Sequence, residues 1–146
     1  MVMVHVTRTF TVQQPTSVVV GYLKDFARAE AWDPGTKSCR RTDSGDLRIG
    51  STWQNVSVFR GRETQLEYTL RRLDPDRLTF VGKNKTATST DDMAFSSGDG
   101  VTTITYNATI EFHGLAKLAG PFLQSTFEKL GDETEQQMTN VLNSLG

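Results

Sequence analysis

The closing stretch GLAKLAGPFLQSTFEKLGDETEQQMTNVLNSL, Gly114–Leu145, decides how the rest of the chain is read. From Pro121 onward, Phe122, Leu123, Phe127, Leu130, Met138, Val141, Leu142 and Leu145 form the apolar side of one long helix. Pro121 suits the first helical turn, where a missing N–H costs nothing. Gly114–Gly120 is then a separate turn or a kinked lead-in. A helix over Pro121–Leu145 spans about 37 Å at about 1.5 Å per residue, enough to cross a whole sheet. Gly131 lies within it at a cost of about 1 kcal/mol relative to alanine. It fits either close packing on a strand or room for a ligand beneath the helix.

The residues before this helix read as strands joined by tight turns. Val2, Val4, Val6, Phe10 and Val12 share one parity, the mark of a strand with one buried face. Pro15 opens a short helix whose apolar face is Val19, Tyr22, Leu23 and Phe26. Asp25 caps a second short turn running to Trp32, and Asp33-Pro34-Gly35 ends it. Strand segments follow around Cys39 and over Ile49–Phe59, Thr64–Arg71, Leu78–Val81, Thr86–Phe95 and Val101–Phe112. Their turns are Asp43–Asp46, Arg60–Arg62, Asp74–Asp76, Lys83–Lys85 and Ser96–Gly100. Such spacing favours a meander of adjacent antiparallel strands. The expected class is α+β: a bent sheet of six to seven strands, two short helices after the first strand, and a long C-terminal helix. A helix crossing a curved sheet leaves a space between the layers, and that space is the chain's best functional clue.

Composition narrows the partners. The 146 residues fit one domain over 1–146, with formal net charge −1 and no global pull toward nucleic acid or anionic lipid. Residues 1–85 carry 14 Lys/Arg against 9 Asp/Glu, and residues 86–146 carry 2 against 8. This split fits solvated faces of opposite sign, or Arg-rich strands that attract an anionic ligand. Cys39 is the single cysteine, so an intrachain disulfide is excluded and a small buried residue is expected. No apolar run approaches the roughly 20 residues of a membrane span. A cytoplasmic protein without cofactor or metal is expected. His5 and His113 each lack a second histidine nearby, and GxSxG, P-loop, HExxH and GxGxxG patterns are absent. Asp91-Asp92 and Asp132–Glu135 read as solvated acidic surface, with no buried carboxylate pair for acid–base work.

Parity supplies an inward set. It contains Ile104, Tyr106, Ala108, Ile110 and Phe112 on the last strand, Leu66, Tyr68 and Leu70 on the Thr64–Arg71 strand, Leu78, Phe80 and Gly82, and Met93 and Phe95. On Ile49–Phe59, Trp53, Asn55 and Ser57 share a face, and a bulge can mix the two faces. Tyr68 and Tyr106 stand out because a buried phenol needs a hydrogen-bond partner from protein, water or ligand. Trp32 and Trp53 suit either a pocket mouth or a core anchor. Arg62 is read as a solvated turn residue, and no basic side chain falls clearly inside. The candidate ligand-binding set is Trp32, Trp53, Asn55, Leu66, Tyr68, Phe80, Met93, Phe95, Tyr106, Ile110, Phe122, Phe127 and Leu130, with no residue assigned to catalysis.

Four local features carry a family resemblance: Phe10-Thr-Val12 before Pro15-Thr-Ser-Val-Val, Leu23-Lys-Asp-Phe26 through Ala31-Trp-Asp-Pro-Gly35, Gly50-Ser-Thr-Trp53, and Gly100-Val-Thr-Thr-Ile104. With the order of elements, the whole chain resembles the START/Bet v 1-like (SRPBCC) helix-grip superfamily, in particular its bacterial polyketide cyclase/dehydrase and lipid-transport-like group. The resemblance implies a hydrophobic cavity between sheet and C-terminal helix, open near the short helices. It implies a carrier or sensor of a small hydrophobic, lipid-like or polyketide-like molecule. Two alternatives stand beside it. One is a polyketide aromatase/cyclase or dehydratase in which Tyr68 or Tyr106 polarises a carbonyl. The other is a protein-interaction module whose core is filled, with no void of about 300 Å³ or more. No nucleic acid and no stable membrane insertion are expected, and a homodimer is left open.

Overall fold

The computed structural model describes residues 2–59, 61–114 and 123–145. Its sheet has seven antiparallel strands: β1 (Val2–Val12), β2 (Thr36–Arg41), β3 (Thr52–Phe59), β4 (Arg62–Asp74), β5 (Arg77–Lys83), β6 (Ala87–Gly98) and β7 (Val101–Phe112). Their order is β1-β7-β6-β5-β4-β3-β2, so β2 to β7 form a meander and β1 closes against β7. Two short helices, α1 (Thr16–Leu23) and α2 (Ala29–Trp32), separated by a single 3₁₀ turn, lie between β1 and β2. The long helix α3 (Gln124–Asn143) packs on β1 and α2.

Turn chemistry places the hairpins. Between β6 and β7 the turn is Asp99-Gly100, both at positive φ (50° and 80°), with Gly98 paired to Val101. Two consecutive left-handed residues match the right-handed twist of the flanking strands. The loop expected over Ser96–Gly100 is therefore mostly strand, and β6 runs on to Gly98. β4 likewise continues past Arg71 to Asp74, through an irregularity in its pairing with β5 between Leu70 and Arg72. In the other direction, β3 begins at Thr52, and Ile49 lies outside it, 62% exposed. Pairing of β3 with β4 is regular from Thr52 to Phe59, so the bulge falls between β2 and β3, at Thr36/Ser38.

Inward parity holds on the central strands. Leu66, Tyr68, Leu70, Leu78, Phe80, Met93, Phe95, Ile104 and Tyr106 are buried. Asp25 accepts hydrogen bonds from the Ala27 amide (3.0 Å) and Trp53 Nε1 (2.9 Å), tying the 3₁₀ turn to β3. Cys39 is buried beneath this layer, and its thiol is pushed up to about 12, chiefly by desolvation, which keeps it unreactive.

α3 has 20 residues, about 30 Å at about 1.5 Å per residue, shorter than expected. Its start at Gln124 follows Leu123. The expected helical residues Pro121 and Phe122, and most of the Gly114–Gly120 lead-in, lie outside the described residues. At Gly131 an added Cβ would meet Val6 Cγ1 at 2.6 Å, so the helix backbone rests directly on β1. Beside it, Arg8 donates to Glu128 Oε1 (3.1 Å), the Glu128 carbonyl (2.8 Å) and Asp132 Oδ1 (3.0 Å). Part of the charge split is thus resolved internally, because the basic half of the chain holds the acidic helix.

Candidate functional site

A cavity of about 220 Å³ lies between the sheet and the first half of α3. β7 contributes Tyr106, Ala108, Ile110 and Phe112, and β4 contributes Thr64, Leu66 and Tyr68. Ser57, Val58 and Phe59 come from the end of β3, and Phe127, Leu130, Gly131 and Thr134 from α3. Val6, Asn84, Thr86, Ala87, Ser89 and Asp91 complete the walls, with Asp33 and Gly35 from the turn after α2. Phe59 and Phe127 stack with ring centroids 4.9 Å apart at 8°, joining β3 to α3 beside the void.

The lining is mostly apolar, with a carboxyl and phenol cluster around Asp91 and a second polar group at Thr64, Asn84 and Thr86, where Asn84 Nδ2 donates to Thr64 Oγ1 (3.1 Å). Asp91, 6% exposed, accepts a 2.6 Å hydrogen bond from the Tyr106 hydroxyl at its Oδ1. The Tyr68 hydroxyl also lies close to this carboxyl and to Ser89. Desolvation raises Asp91 to about 7, outweighing the two phenols that favour its ionised form, and the nearby Asp33 charge adds to the rise. Desolvation also raises Asp33, against hydrogen bonds from the Gly35 amide (3.0 Å) and the Thr36 hydroxyl (2.9 Å). Both phenols are held well above their usual range, first by burial and then by the Asp91 charge.

Strand alternation explains the placement. Ser89, Asp91, Met93 and Phe95 share the inward face of β6, and Asp92 points outward to Arg77 and Thr79. The solvated-surface reading of Asp91-Asp92 is therefore corrected for Asp91. The absence of any buried carboxylate environment is corrected with it. Parity with Met93 and Phe95 is the signal that marks Asp91 in the sequence. Asp33 gives a weaker one, since in Asp33-Pro34-Gly35 it reads only as a turn residue. Gly82 makes room for Tyr68, its cross-strand partner: a Cβ there would lie 2.6 Å from the ring.

Of the candidate ligand-binding residues, Leu66, Tyr68, Tyr106, Ile110, Phe127 and Leu130 line the cavity. Trp32, Trp53, Asn55, Phe80, Met93 and Phe95 are buried in the solid core beside it and are not among its lining residues. Asn55 is satisfied there by protein, donating to Thr36 Oγ1 (3.1 Å) and accepting from Ser57 Oγ (2.6 Å). Trp32 Nε1 is buried without a hydrogen-bond partner among the described residues. Phe122 lies outside the described residues. No group of three or more His, Cys, Asp or Glu among the described residues is placed to hold a metal, and no described helix is long and apolar enough to cross a membrane.

Solved structures share this architecture at low sequence identity. A START superfamily protein from Mycobacterium smegmatis aligns at TM-score 0.80 and 11% identity, covering 97% of this chain and 99% of the other. The ZhuI aromatase/cyclase from Streptomyces sp. R1128 aligns at 0.73 and 14%, covering 97% and 92%. TTHA0849 from Thermus thermophilus aligns at 0.74 and 16%, covering 95% and 94%. At these identities the likeness is one of fold. No curated protein sequence gives a significant match. The helix-grip architecture expected from the sequence is present, and a family profile described as polyketide cyclase / dehydrase and lipid transport matches residues 3–142: the chain belongs to that family.

Proposed function

We propose that the protein binds a compact hydrophobic small molecule in the cavity between sheet and α3, as a carrier or sensor. The observation that carries this reading is a mostly apolar chamber in which hydroxyl and carboxyl groups cluster around Asp91. Apolar walls supply affinity at about 25 cal/mol per Å² buried, and the polar cluster fixes orientation. The volume, about 220 Å³, is below the roughly 300 Å³ that bounds ordinary ligand pockets. It limits the guest to a compact one, and by itself it weighs toward the filled-core alternative. Native mass spectrometry of protein made in a bacterial host tests the reading. Co-purified apolar mass, or uptake of a small apolar dye, is expected from the parent and lost in Ala108→Phe, which fills the chamber. Absence of both from the parent overturns the reading.

A second reading has its own support in Asp91, a carboxyl group near 7 flanked by two phenols. A group titrating close to neutrality is suited to proton transfer, which contributes about 10²–10⁴-fold in rate. In that case the family's cyclase or dehydratase chemistry on a poly-ketone would use Asp91 as acid or base, with Tyr68 and Tyr106 as hydrogen-bond donors. Tyr68→Phe and Tyr106→Phe separate the readings: binding survives both if the protein is a carrier, and turnover is lost if it is a catalyst.

A further inference from the structure

The cavity's charge pattern restricts its guest further. Two carboxylates, Asp91 and Asp33, line it, and no Lys, Arg or His stands among its described lining residues. The described hydrogen-bond donors to both acids are uncharged: the Tyr106 hydroxyl for Asp91, the Gly35 amide and Thr36 hydroxyl for Asp33. Among the described residues Arg8 brings a cation near, its guanidinium 3.3 Å from the Cβ position at Gly131. Its described hydrogen bonds go to Glu128, Asp132 and the Thr7 carbonyl. A buried carboxylate without a cationic partner is costly, and a cation that enters the chamber relieves that cost. An anionic guest would instead add a third negative group to a low-dielectric space.

Resting on the cavity-binding reading above, we propose that the chamber selects a compact apolar molecule bearing a basic amine, whose ammonium group is taken up by Asp91 beside Asp33, and that it rejects carboxylates. Tyr68 and Tyr106 then hold the carboxylate of Asp91 in place, and the hydrocarbon of the guest lies against Leu66, Ala108, Ile110 and Leu130. Fatty acids fit this pattern poorly despite the apolar walls.

Three probes on one skeleton provide the test: naphthylmethylamine, naphthylmethanol and naphthoic acid, titrated calorimetrically near pH 8. The amine is expected to bind at least about tenfold tighter than the alcohol, and the acid weakest of the three. Asp91→Asn keeps the acceptor for Tyr106 and is expected to erase the amine's advantage over the alcohol. An acid that binds as tightly as the amine overturns the proposal, as does an amine preference that survives both Asp91→Asn and Asp33→Asn. If Asp91→Asn does not fold, the amine-to-acid ratio in the parent and in Asp33→Asn decides. Failure of all three probes to bind the parent removes the cavity reading itself; equal binding of all three leaves that reading standing and removes only the amine selectivity.

Discussion

The two halves of the interior are built from the same sheet and the same helix, yet one is solid and the other hollow. In the solid half, Phe26 sits among Tyr68, Phe80, Trp32 and Trp53 at ring-centroid distances of 4.4, 4.6, 5.8 and 6.2 Å, and Met138 and Leu142 of α3 are fully buried. In the hollow half, the facing residues are Ala108, Ile110, Leu130, Gly131 and Thr134. The two short helices make the difference. α1, the 3₁₀ turn and α2 drive Val19, Leu23, Phe26 and Trp32 between sheet and α3 at one end, and no described element does so at the other. Tyr68 and Tyr106 stand on the border, with rings packed in the solid half and hydroxyls at the Asp91 cluster of the chamber.

Truncation should separate the halves most sharply. Phe80→Ala in the solid half is expected to cost about 3–5 kcal/mol in chemical denaturation, because it opens an enclosed hole among rings. Next comes the border. Asp91 keeps its proton in the folded protein up to about 7, whereas its unfolded value is about 3.9. Both states are protonated below that lower value, so the group is neutral to stability there. Between the two values the unfolded chain releases its proton first, so stability falls as pH rises and levels off above about 7. Thermal melts across that window should show a decline in the parent that is missing in Asp91→Asn; parallel pH profiles would refute the assignment.

Smaller effects are expected where backbone meets side chain. Gly82→Ala pushes into the Tyr68 ring, and overpacking of about 1–3 kcal/mol should appear with a weakened Tyr68 contribution to any binding measured. The hollow half should be the most forgiving. Ile110→Ala removes a half-buried side chain that already borders empty space, and about 1 kcal/mol of destabilisation is expected from the same denaturation experiment. A cost equal to that of Phe80→Ala would erase the distinction between the halves.

Much of this architecture is legible from residue patterns. The parity of Ile104 to Phe112 places the last strand's inner face, and the turn residues place the meander. Boundaries move where tight turns are shorter than their sequence signals, as at Asp99-Gly100. The site is half legible. Alternation tells which face a residue occupies but not how far along the strand the packed end gives way to the void. Phe80 and Ile110 therefore look alike in sequence, although one is core and the other wall. Asp91 escapes notice for a different reason: beside Asp92 it resembles a solvated pair, yet a strand must turn adjacent residues to opposite faces. Asp33 reads locally only as a turn residue, because its role depends on where the turn after α2 comes to rest against the sheet.

The pairing of β1 with β7 joins Val2 to Phe112 and Val12 to Thr102, and α3 then seats on β1 through Gly131 and Arg8. A ribosome making this chain releases β1 roughly a hundred residues before the strand it pairs with, and the covering helix emerges after both. Until then the concave wall of the meander has no roof. Such long-range closure slows folding and leaves greasy surface open to neighbours. Nascent protein is accordingly most vulnerable to aggregation in the interval before α3 is complete, and a deletion within α3 should harm yield out of proportion to the number of residues removed.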